Sequence, residues 1–395
     1  MSSLRTFPGE TEGRTTASQG RESVKRRFAG PASAFLIYEM TRYLVYAEGQ
    51  FGSPASKTAN SVLRYSAEKV AAVLDSKQAG KTANDVLGFG GNIPVVATVD
   101  DGIKLGADSL LIGIATHGGG LPADVRKAVH SSIDRGLEIW NGLHTFVGLD
   151  PELATLARDR GVRVHDVRRP PEELPVGTGR VRELDATVLL AVGTDANIGK
   201  MTVMLQLRTA LAAKGVKAGF APTGQTGIFI EGWGLCVDAV VADFIAGAAE
   251  EVTFQSARDS DIVLVEGQGS ILHPGYSGVS LGLLHGSLPH GLIACHQPTR
   301  QTFRHNAWLK IPPLRDVIDL HERIAAPLRP AKTIGVSLNT VDMSEADALA
   351  AIERTQQETG LPTTDPVRFD AKPLVDAVIA FDAERRGAVA ASGRP

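Results

Sequence analysis

The strongest chemical pattern in the sequence is a glycine-rich loop that ends in a lysine, Gly193-Thr194-Asp195-Ala196-Asn197-Ile198-Gly199-Lys200. It follows an apolar run and precedes a segment with helical spacing. In such a loop the backbone N–H groups converge on an anion, the helix N-terminus adds partial positive charge, and the lysine neutralises phosphate oxygens. The pattern predicts a phosphate-bearing ligand on the following residues: Gly193, Thr194, Asp195, Asn197, Gly199, Lys200, Met201 and Thr202.

Two departures from the usual phosphate loop bear on which ligand it holds. Five residues instead of four separate Gly193 from Gly199, a spacing that resembles the loop of dethiobiotin synthetase, an ATP-dependent enzyme. The hydroxyl that normally follows the lysine and holds Mg²⁺ is replaced by Met201, and it comes one residue later at Thr202. One residue on a helix is a rotation of about 100°. We therefore expect a phosphate or pyrophosphate here, with Mg²⁺ and ATP less favoured.

A carboxylate follows a second apolar strand, in the run Val265-Glu266-Gly267-Gln268-Gly269-Ser270. In open parallel sheets the carboxyl ends of the strands carry the site chemistry. Glu266 is therefore a candidate metal ligand or a general base that acts on an amine. The alternative is a carboxylate that only caps the N–H groups of the loop. Gln225, which follows another strand, offers both a donor and an acceptor.

Five of the ten histidines lie between residues 271 and 305, and Arg300 and Arg304 lie in the same segment. His273 follows Glu266 by seven residues and is the preferred site histidine, with a hydrogen-bonded loop histidine as the alternative. Arg300 and Arg304 could bind a dicarboxylate through bidentate contacts. No pair of these histidines has the four-residue spacing of a helical zinc site, so the sequence assigns no metal.

The segments around these motifs alternate short apolar strands with helices. Strands are predicted near residues 44–47, 70–74, 93–99, 110–114, 139–141, 162–167, 187–192, 216–221, 262–265, 291–295 and 333–338. Helices are predicted near residues 57–65, 122–135, 200–213 and 346–358. This alternation predicts an α/β protein whose parallel sheets are covered on both faces. We predict a Rossmann-like domain over residues 41–180, then a P-loop NTPase-like parallel-sheet domain over residues 185–385.

Composition limits the classes of function. Of the 395 residues, 43% are hydrophobic and 22% are charged, and the formal charge is −3. These values are typical of a globular protein and argue against a nucleic-acid partner. No apolar run reaches the ~18 residues that a membrane helix needs, so no membrane partner is expected. Residues 1–40 are predicted to be a disordered tail, the expected compartment is the cytoplasm, and a homo-oligomer is expected.

Several runs of the chain together resemble one family. In the second half they are Gly193–Thr202, Thr223–Gly227, Gly232–Gly234, Asp238–Asp243, Val265–Gly278 and Leu283–Ser287. In the first half they are Tyr46–Gly49, Lys57-Thr58, Gly142–His144 and Asp166–Arg168. These runs resemble the DgcN-type D-glutamate N-acetyltransferases, which pair a Rossmann-like domain with a P-loop-like domain. The resemblance covers roughly residues 42–375.

The resemblance implies acetyl transfer from acetyl-CoA to the amino group of D-glutamate or a similar amino acid. Lys200 would then bind phosphates of CoA, and this binding would not need the metal-binding hydroxyl that Met201 replaces. Acetyl transfer needs a base for the amine and a donor for the developing oxyanion. The candidate catalytic residues are Glu266, His273 and Gln225, and the candidate substrate-binding residues are Gln268, Arg300 and Arg304. An ATP-dependent ligase or kinase of a small carboxylate is the alternative, and a nucleotide-sensing regulatory protein is a third reading.

Overall fold

Two parallel β-sheets, each of six strands, carry the loops singled out above. The computed structural model describes residues 41–392, so the predicted tail over residues 1–40 lies outside the described residues. Within the described residues, no helix is both long and apolar enough to cross a bilayer.

The first sheet has the strand order β3-β2-β1-β4-β5-β6, with every neighbouring pair parallel. Its strands are β1 (Tyr43–Tyr46), β2 (Val70–Leu74), β3 (Val95–Val96), β4 (Ser109–Ile112), β5 (Glu138–Asn141) and β6 (Val164–Asp166). Its helices are α1 (Lys57–Tyr65), α2 (Ala83–Leu87), α3 (Val99–Lys104), α4 (Ala123–Asp134) and α5 (Pro151–Arg160). The strand order reverses between β1 and β4, and crevices at such switch points are where open α/β sheets bind ligands.

The second sheet has the order β14-β13-β10-β7-β9-β8 and is parallel throughout. Its strands are β7 (Thr187–Gly193), β8 (Ala218–Ala221), β9 (Ile262–Val265), β10 (Gly291–His296), β13 (Lys332–Leu338) and β14 (Thr363–Thr364). Between β10 and β13, β11 (Thr302–Phe303) and β12 (Asn306–Lys310) form a separate antiparallel hairpin. Its helices are α6 (Lys200–Ala213), α7 (Gln225–Glu231), α8 (Ile245–Ser256), α9 (Ser277–Ser287), α10 (Leu314–Ala325), α11 (Glu345–Thr359) and α12 (Lys372–Ser392).

The α/β fold class predicted from the alternation is confirmed. The strand predicted over residues 93–99 is wrong in extent, because only Val95 and Val96 pair with β2. Thr98 ends that segment by capping α3, where its hydroxyl accepts the N–H of Asp101. In the run Asp238–Asp243, each of the two acids lies in a separate short 3₁₀ turn.

The two sheets share one continuous apolar core, which includes strands of both domains. Polar contacts reinforce the boundary. The hydroxyls of Thr58 on α1 and Thr226 on α7 lie 3.0 Å apart. Ser66 and Lys69 both donate to the carbonyl oxygen of Ile230, over 3.2 and 2.6 Å. Both ends of α1 are therefore held against α7, the helix that follows β8.

Candidate functional site

The glycine-rich loop connects β7 to α6 as the sequence predicts. Asn197 (φ 56°) and Gly199 (φ 107°) take left-handed backbone conformations that turn the chain into the helix. The first turn of α6 has no side-chain cap, so its N–H groups point towards the loop as donors for an anion. The buried Lys200 ammonium donates to the carbonyl oxygen of Asp195 over 2.6 Å. Burial lowers the pKa of Lys200 to about 8, against the opposing effects of Cys295 and Asp195.

The loop is fixed from below by Asp195, which is fully buried. One carboxylate oxygen of Asp195 accepts the guanidinium of Arg300 at 2.9 Å and the backbone N–H of Arg304 at 2.8 Å. The same Arg300 nitrogen donates to the carbonyl oxygen of Ala196 at 2.6 Å. Arg300 thus ties the loop to the segment before the β11–β12 hairpin. The Arg304 side chain is exposed and lies against His305.

A lysine of the first domain is hydrogen-bonded to the glycine-rich loop. Lys57, the first residue of α1, donates from its ammonium to Oδ1 of Asn197 over 2.7 Å. Lys57 keeps solvent-exposed surface, yet protein surrounds it in a cleft that also holds Glu266 and Arg304. Desolvation in that cleft lowers the pKa of Lys57, and the Glu266 carboxylate opposes the shift. The other two N–H groups of this ammonium are available to a ligand.

Glu266 lies at the carboxyl end of β9 and is only 4% exposed. Its Oε2 accepts the backbone N–H groups of Thr223 (3.0 Å) and Gly224 (3.1 Å), whereas Oε1 has no hydrogen-bond donor among the described residues. Burial raises the pKa of Glu266 to about 7, although these N–H groups and Lys57 favour the ionised form. A side chain at Gly227 would put its Cβ 2.6 Å from Oε2, so glycine makes room for the carboxylate.

Gln225 is oriented by an arginine of the first domain. The buried Arg168 donates to the Gly142 carbonyl oxygen (2.8 Å), to Asp238 (2.5 Å) and to Oε1 of Gln225 (2.8 Å). Because a guanidinium only donates, the Gln225 amide must present its oxygen to Arg168. Its NH₂ group is therefore available to donate to a ligand in the cleft that both domains line.

That cleft, termed here the interdomain cleft, has a volume of about 530 Å³. It opens at the end of β4, beside the switch point of the first sheet. Its polar lining comes from both domains: Thr58, Thr116, His144, Arg168, Gln225 and Tyr276. Burial and the nearby Arg168 charge lower the pKa of His144. The size and lining suit a small polar ligand with negative charge.

His273 and Gln268 occupy well-defined positions. Nδ1 of His273 accepts the N–H of Gly275 at 3.0 Å, so Nε2 carries the proton and donates to the Arg304 carbonyl oxygen at 2.9 Å. The ring also stacks on Tyr276 with centroids 4.2 Å apart. Both ring nitrogens are thus occupied, which favours a structural role. Gln268 donates to the Thr223 hydroxyl at 3.2 Å, beside Glu266.

Met201 and Thr202 do not present polar groups to the loop. Met201 packs against the apolar core. Thr202 faces Tyr65 of α1 and lines a separate groove there. The rotation of about 100° per helical residue accounts for this direction. Among residues 41–392, no group of three or more His, Cys, Asp or Glu side chains is gathered as a metal site.

Lys57 and Arg168 are the site residues that motif spacing within the second domain does not reveal. Each lies far from its partner in the chain, 140 residues in the case of Lys57 and Asn197. The signal in the sequence was confined to the family-like runs Lys57-Thr58 and Asp166–Arg168.

A Rossmann-like sheet and a P-loop sheet that share a polar cleft define a two-domain α/β protein with a phosphate loop. The family comparison agrees with that architecture. The DUF1611_N Rossmann-like domain matches residues 76–170, and the DUF1611_C P-loop domain matches residues 175–375. Both are described as domains of unknown function. The chain belongs to the DUF1611 family.

Two curated relatives carry the name D-glutamate N-acetyltransferase. The protein from Tritonibacter scottomollicae is 38% identical over 299 residues, which span 74% of this chain and 88% of the relative. The protein from Pseudoalteromonas sp. is 35% identical over 279 residues, which span 70% and 83%. A crystal structure of a DUF1611 family protein from Anabaena variabilis is 38% identical, with a TM-score of 0.81 over 86% of this chain and 99% of that one. These relatives identify the chain as an enzyme of the transferase class.

Proposed function

We propose that this chain transfers the acetyl group of acetyl-CoA to the amino group of D-glutamate. The observation that carries the proposal is Glu266, a buried carboxylate with a pKa of about 7 and one open oxygen, next to a phosphate loop. A general base works best when its pKa lies near the working pH. The names of the two curated relatives supply the reaction in which such a base is needed.

The reaction starts when the free Oε1 of Glu266 accepts a proton from the ammonium group of the substrate. The amine nitrogen then attacks the carbonyl carbon of the thioester, and a tetrahedral intermediate forms. When this intermediate collapses, the C–S bond breaks and the CoA sulfur leaves as a thiolate. The proton held by Glu266 passes to that thiolate, which returns the carboxylate to its starting state, and the second ammonium proton passes from the nitrogen to water as the amide forms.

The other polar groups of the site bind the two substrates and stabilise the charge that develops during the reaction. The Lys200 ammonium and the N–H groups of the first turn of α6 fit the pyrophosphate of CoA, since both are donors beside an anion-binding loop. The Gln225 NH₂ group is free to donate to the developing oxyanion. Lys57, with two N–H groups available beside Glu266, binds a carboxylate of the amino acid. Arg304, whose guanidinium is exposed near Lys57, is a candidate for the second carboxylate.

The direction of Thr202 supports CoA over Mg-ATP as the ligand of the loop. A metal-bound nucleotide needs the hydroxyl next to the lysine. Here that position is an apolar Met201, and Thr202 lies against α1. Binding of a pyrophosphate by Lys200 and backbone N–H groups requires no such hydroxyl.

The test is a thiol-release assay with acetyl-CoA as donor. D-Glutamate, L-glutamate and no acceptor form three arms, and a fourth arm replaces the donor with ATP and Mg²⁺. We expect thiol release with D-glutamate, and N-acetylglutamate in the product by mass spectrometry. ADP formation in the fourth arm without thiol release in the others would refute the proposal and support a ligase or kinase.

A further inference from the structure

A second groove, termed here the α1 groove, lies where α1 meets the first turn of α6. It has a volume of about 320 Å³ and is lined by Asn60, Ser61, Arg64, Tyr65, Phe89, Thr202 and neighbouring residues. Lys200 extends towards Gly267, at the end of β9, where a Cβ would lie 2.8 Å from its Cδ. Thr202 comes two residues later and is therefore rotated by roughly 200° about the helix axis. The α1 groove and Glu266 thus lie on opposite sides of the phosphate loop.

Arg64 gives this groove an unpaired positive charge. Its guanidinium carbon lies 3.8 Å from the centroid of the Phe89 ring, a cation–π contact that holds the group flat. Other arginines pair with carboxylates, as Arg126 does with Asp150. No carboxylate of residues 41–392 forms an ion pair with Arg64. A planar guanidinium held in one orientation matches a phosphate group, which it binds through two parallel N–H bonds.

The proposed function places a pyrophosphate between these two sides. CoA extends from its pyrophosphate in two directions, with the acetylated pantetheine arm on one side and adenosine 3′-phosphate on the other. Lys57 and Arg64 are seven residues apart on α1, or roughly 10 Å along the helix axis. A pantetheine arm directed to Lys57 and Glu266 therefore leaves the adenosine end directed along α1.

We propose that the α1 groove binds the adenosine 3′-phosphate end of CoA, with Arg64 on the 3′-phosphate. This inference rests on the proposed function, since it assumes that the phosphate loop holds CoA. Asn60 and Ser61 offer polar groups to the base, and Tyr65 offers a flat apolar face. The site selects CoA over donors that lack a 3′-phosphate, which the phosphate loop alone would not do.

The test compares two ligands and two exposed arginines. Calorimetry gives the Kd of CoA and of 3′-dephospho-CoA for the full-length protein and for Arg64→Gln. Arg158→Gln is the control, because Arg158 is also exposed but lies on α5, where its guanidinium donates to the hydroxyl of Thr155. We expect Arg64→Gln to weaken CoA by about tenfold, the loss of one charge-assisted contact, while 3′-dephospho-CoA stays unchanged. Arg158→Gln should change neither Kd.

Three outcomes overturn the inference, and they differ in what they say of the proposed function. If Arg64→Gln binds CoA as tightly as the native protein, and the native protein releases thiol from acetyl-CoA, the groove assignment is wrong and the acetyltransferase stands. Equal weakening of both ligands would show that Arg64 acts on the fold instead of the 3′-phosphate. If the native protein binds no CoA and releases no thiol, both proposals fail. Because Arg64 is exposed, the variant is expected to fold.

Discussion

The replacement Glu266→Gln separates the catalytic role of this side chain from its effect on stability. Glutamine has the same shape and still accepts the N–H groups of Thr223 and Gly224, but it cannot take a proton from an amine. Burial raises the pKa of Glu266 from 4.5 to about 7. A shift of this size corresponds to about 3 kcal/mol of unfavourable free energy for the ionised form in the folded protein.

The sign of the stability effect follows from the order in which the two states titrate. Below pH 4.5 the carboxyl is protonated in the folded and unfolded chains alike, so its ionisation does not affect stability. As the pH rises from 4.5 to about 7, the unfolded chain releases its proton first, and the folded state loses stability progressively. Glutamine does not titrate. The free energy of unfolding of the variant, minus that of the native protein, should therefore increase by up to about 3 kcal/mol between pH 4 and pH 8.

Urea unfolding of both proteins between pH 4 and 8 measures this difference. The same preparations go through the thiol-release assay, where turnover of Glu266→Gln should fall by about 10²- to 10⁴-fold. In the native enzyme, kcat/KM should rise with pH through a midpoint near 7, because the base must be ionised.

A second buried glutamate serves as the matched control. Glu250 accepts the backbone N–H groups of Thr178 and Arg180 and pairs with the Arg180 side chain, away from the cleft. Glu250→Gln weakens these contacts, so it should lower stability and leave turnover per folded molecule unchanged. A difference between Glu266→Gln and the native protein that stays flat from pH 5 to 8 would refute a raised pKa. Full turnover in Glu266→Gln would remove this carboxylate from the chemistry.

Three further replacements test neighbouring parts of the site. Lys57→Met removes the cation beside Glu266, so the pH midpoint should rise and the KM for D-glutamate should increase by about tenfold; an unchanged profile would refute the Lys57 assignment. Gly227→Ala places a Cβ 2.6 Å from Oε2 of Glu266, so kcat should drop, with a loss of about 1–3 kcal/mol in unfolding free energy; full activity would contradict the tight fit, and Gly278→Ala, in open space, is its control. His273→Gln should lower thermal stability without moving the midpoint, whereas loss of the rise of kcat/KM with pH would restore His273 as a base.

The phosphate loop and Glu266 could be predicted because their signals are local. A strand, a glycine-rich turn, a lysine and a helix follow one another within a dozen residues, so spacing alone indicates the geometry. The same local logic explains the direction of Thr202. The helix boundaries at Lys57–Tyr65 and Lys200–Ala213 were equally accessible, since each has a strong start or a clear apolar periodicity.

What the sequence could not supply is which donors and acceptors are already in use. Arg300 looks like a ligand for a dicarboxylate, yet its guanidinium is hydrogen-bonded to Asp195 and Ala196. His273 looks like a base, yet both ring nitrogens are bonded to the backbone. These partners lie in other segments, and residue type and spacing carry no record of them. Roles for these side chains therefore stay predictions that only substitution can test.

The contacts across the domain boundary explain why the cleft needs both halves of the chain. Lys57 holds Asn197 in the phosphate loop, Arg168 orients Gln225, and Thr58 is bonded to Thr226 at the start of α7. The second domain supplies the groups proposed to move protons and bind phosphate, while the first domain fixes their orientation and adds the cation beside Glu266. Recognition of the acetyl donor, CoA, is thereby separable from recognition of the acetyl acceptor, the amino acid. Substitutions of Arg64 should affect binding of the acetyl donor, and substitutions of Lys57 should affect binding of the acetyl acceptor, although α1 carries both residues.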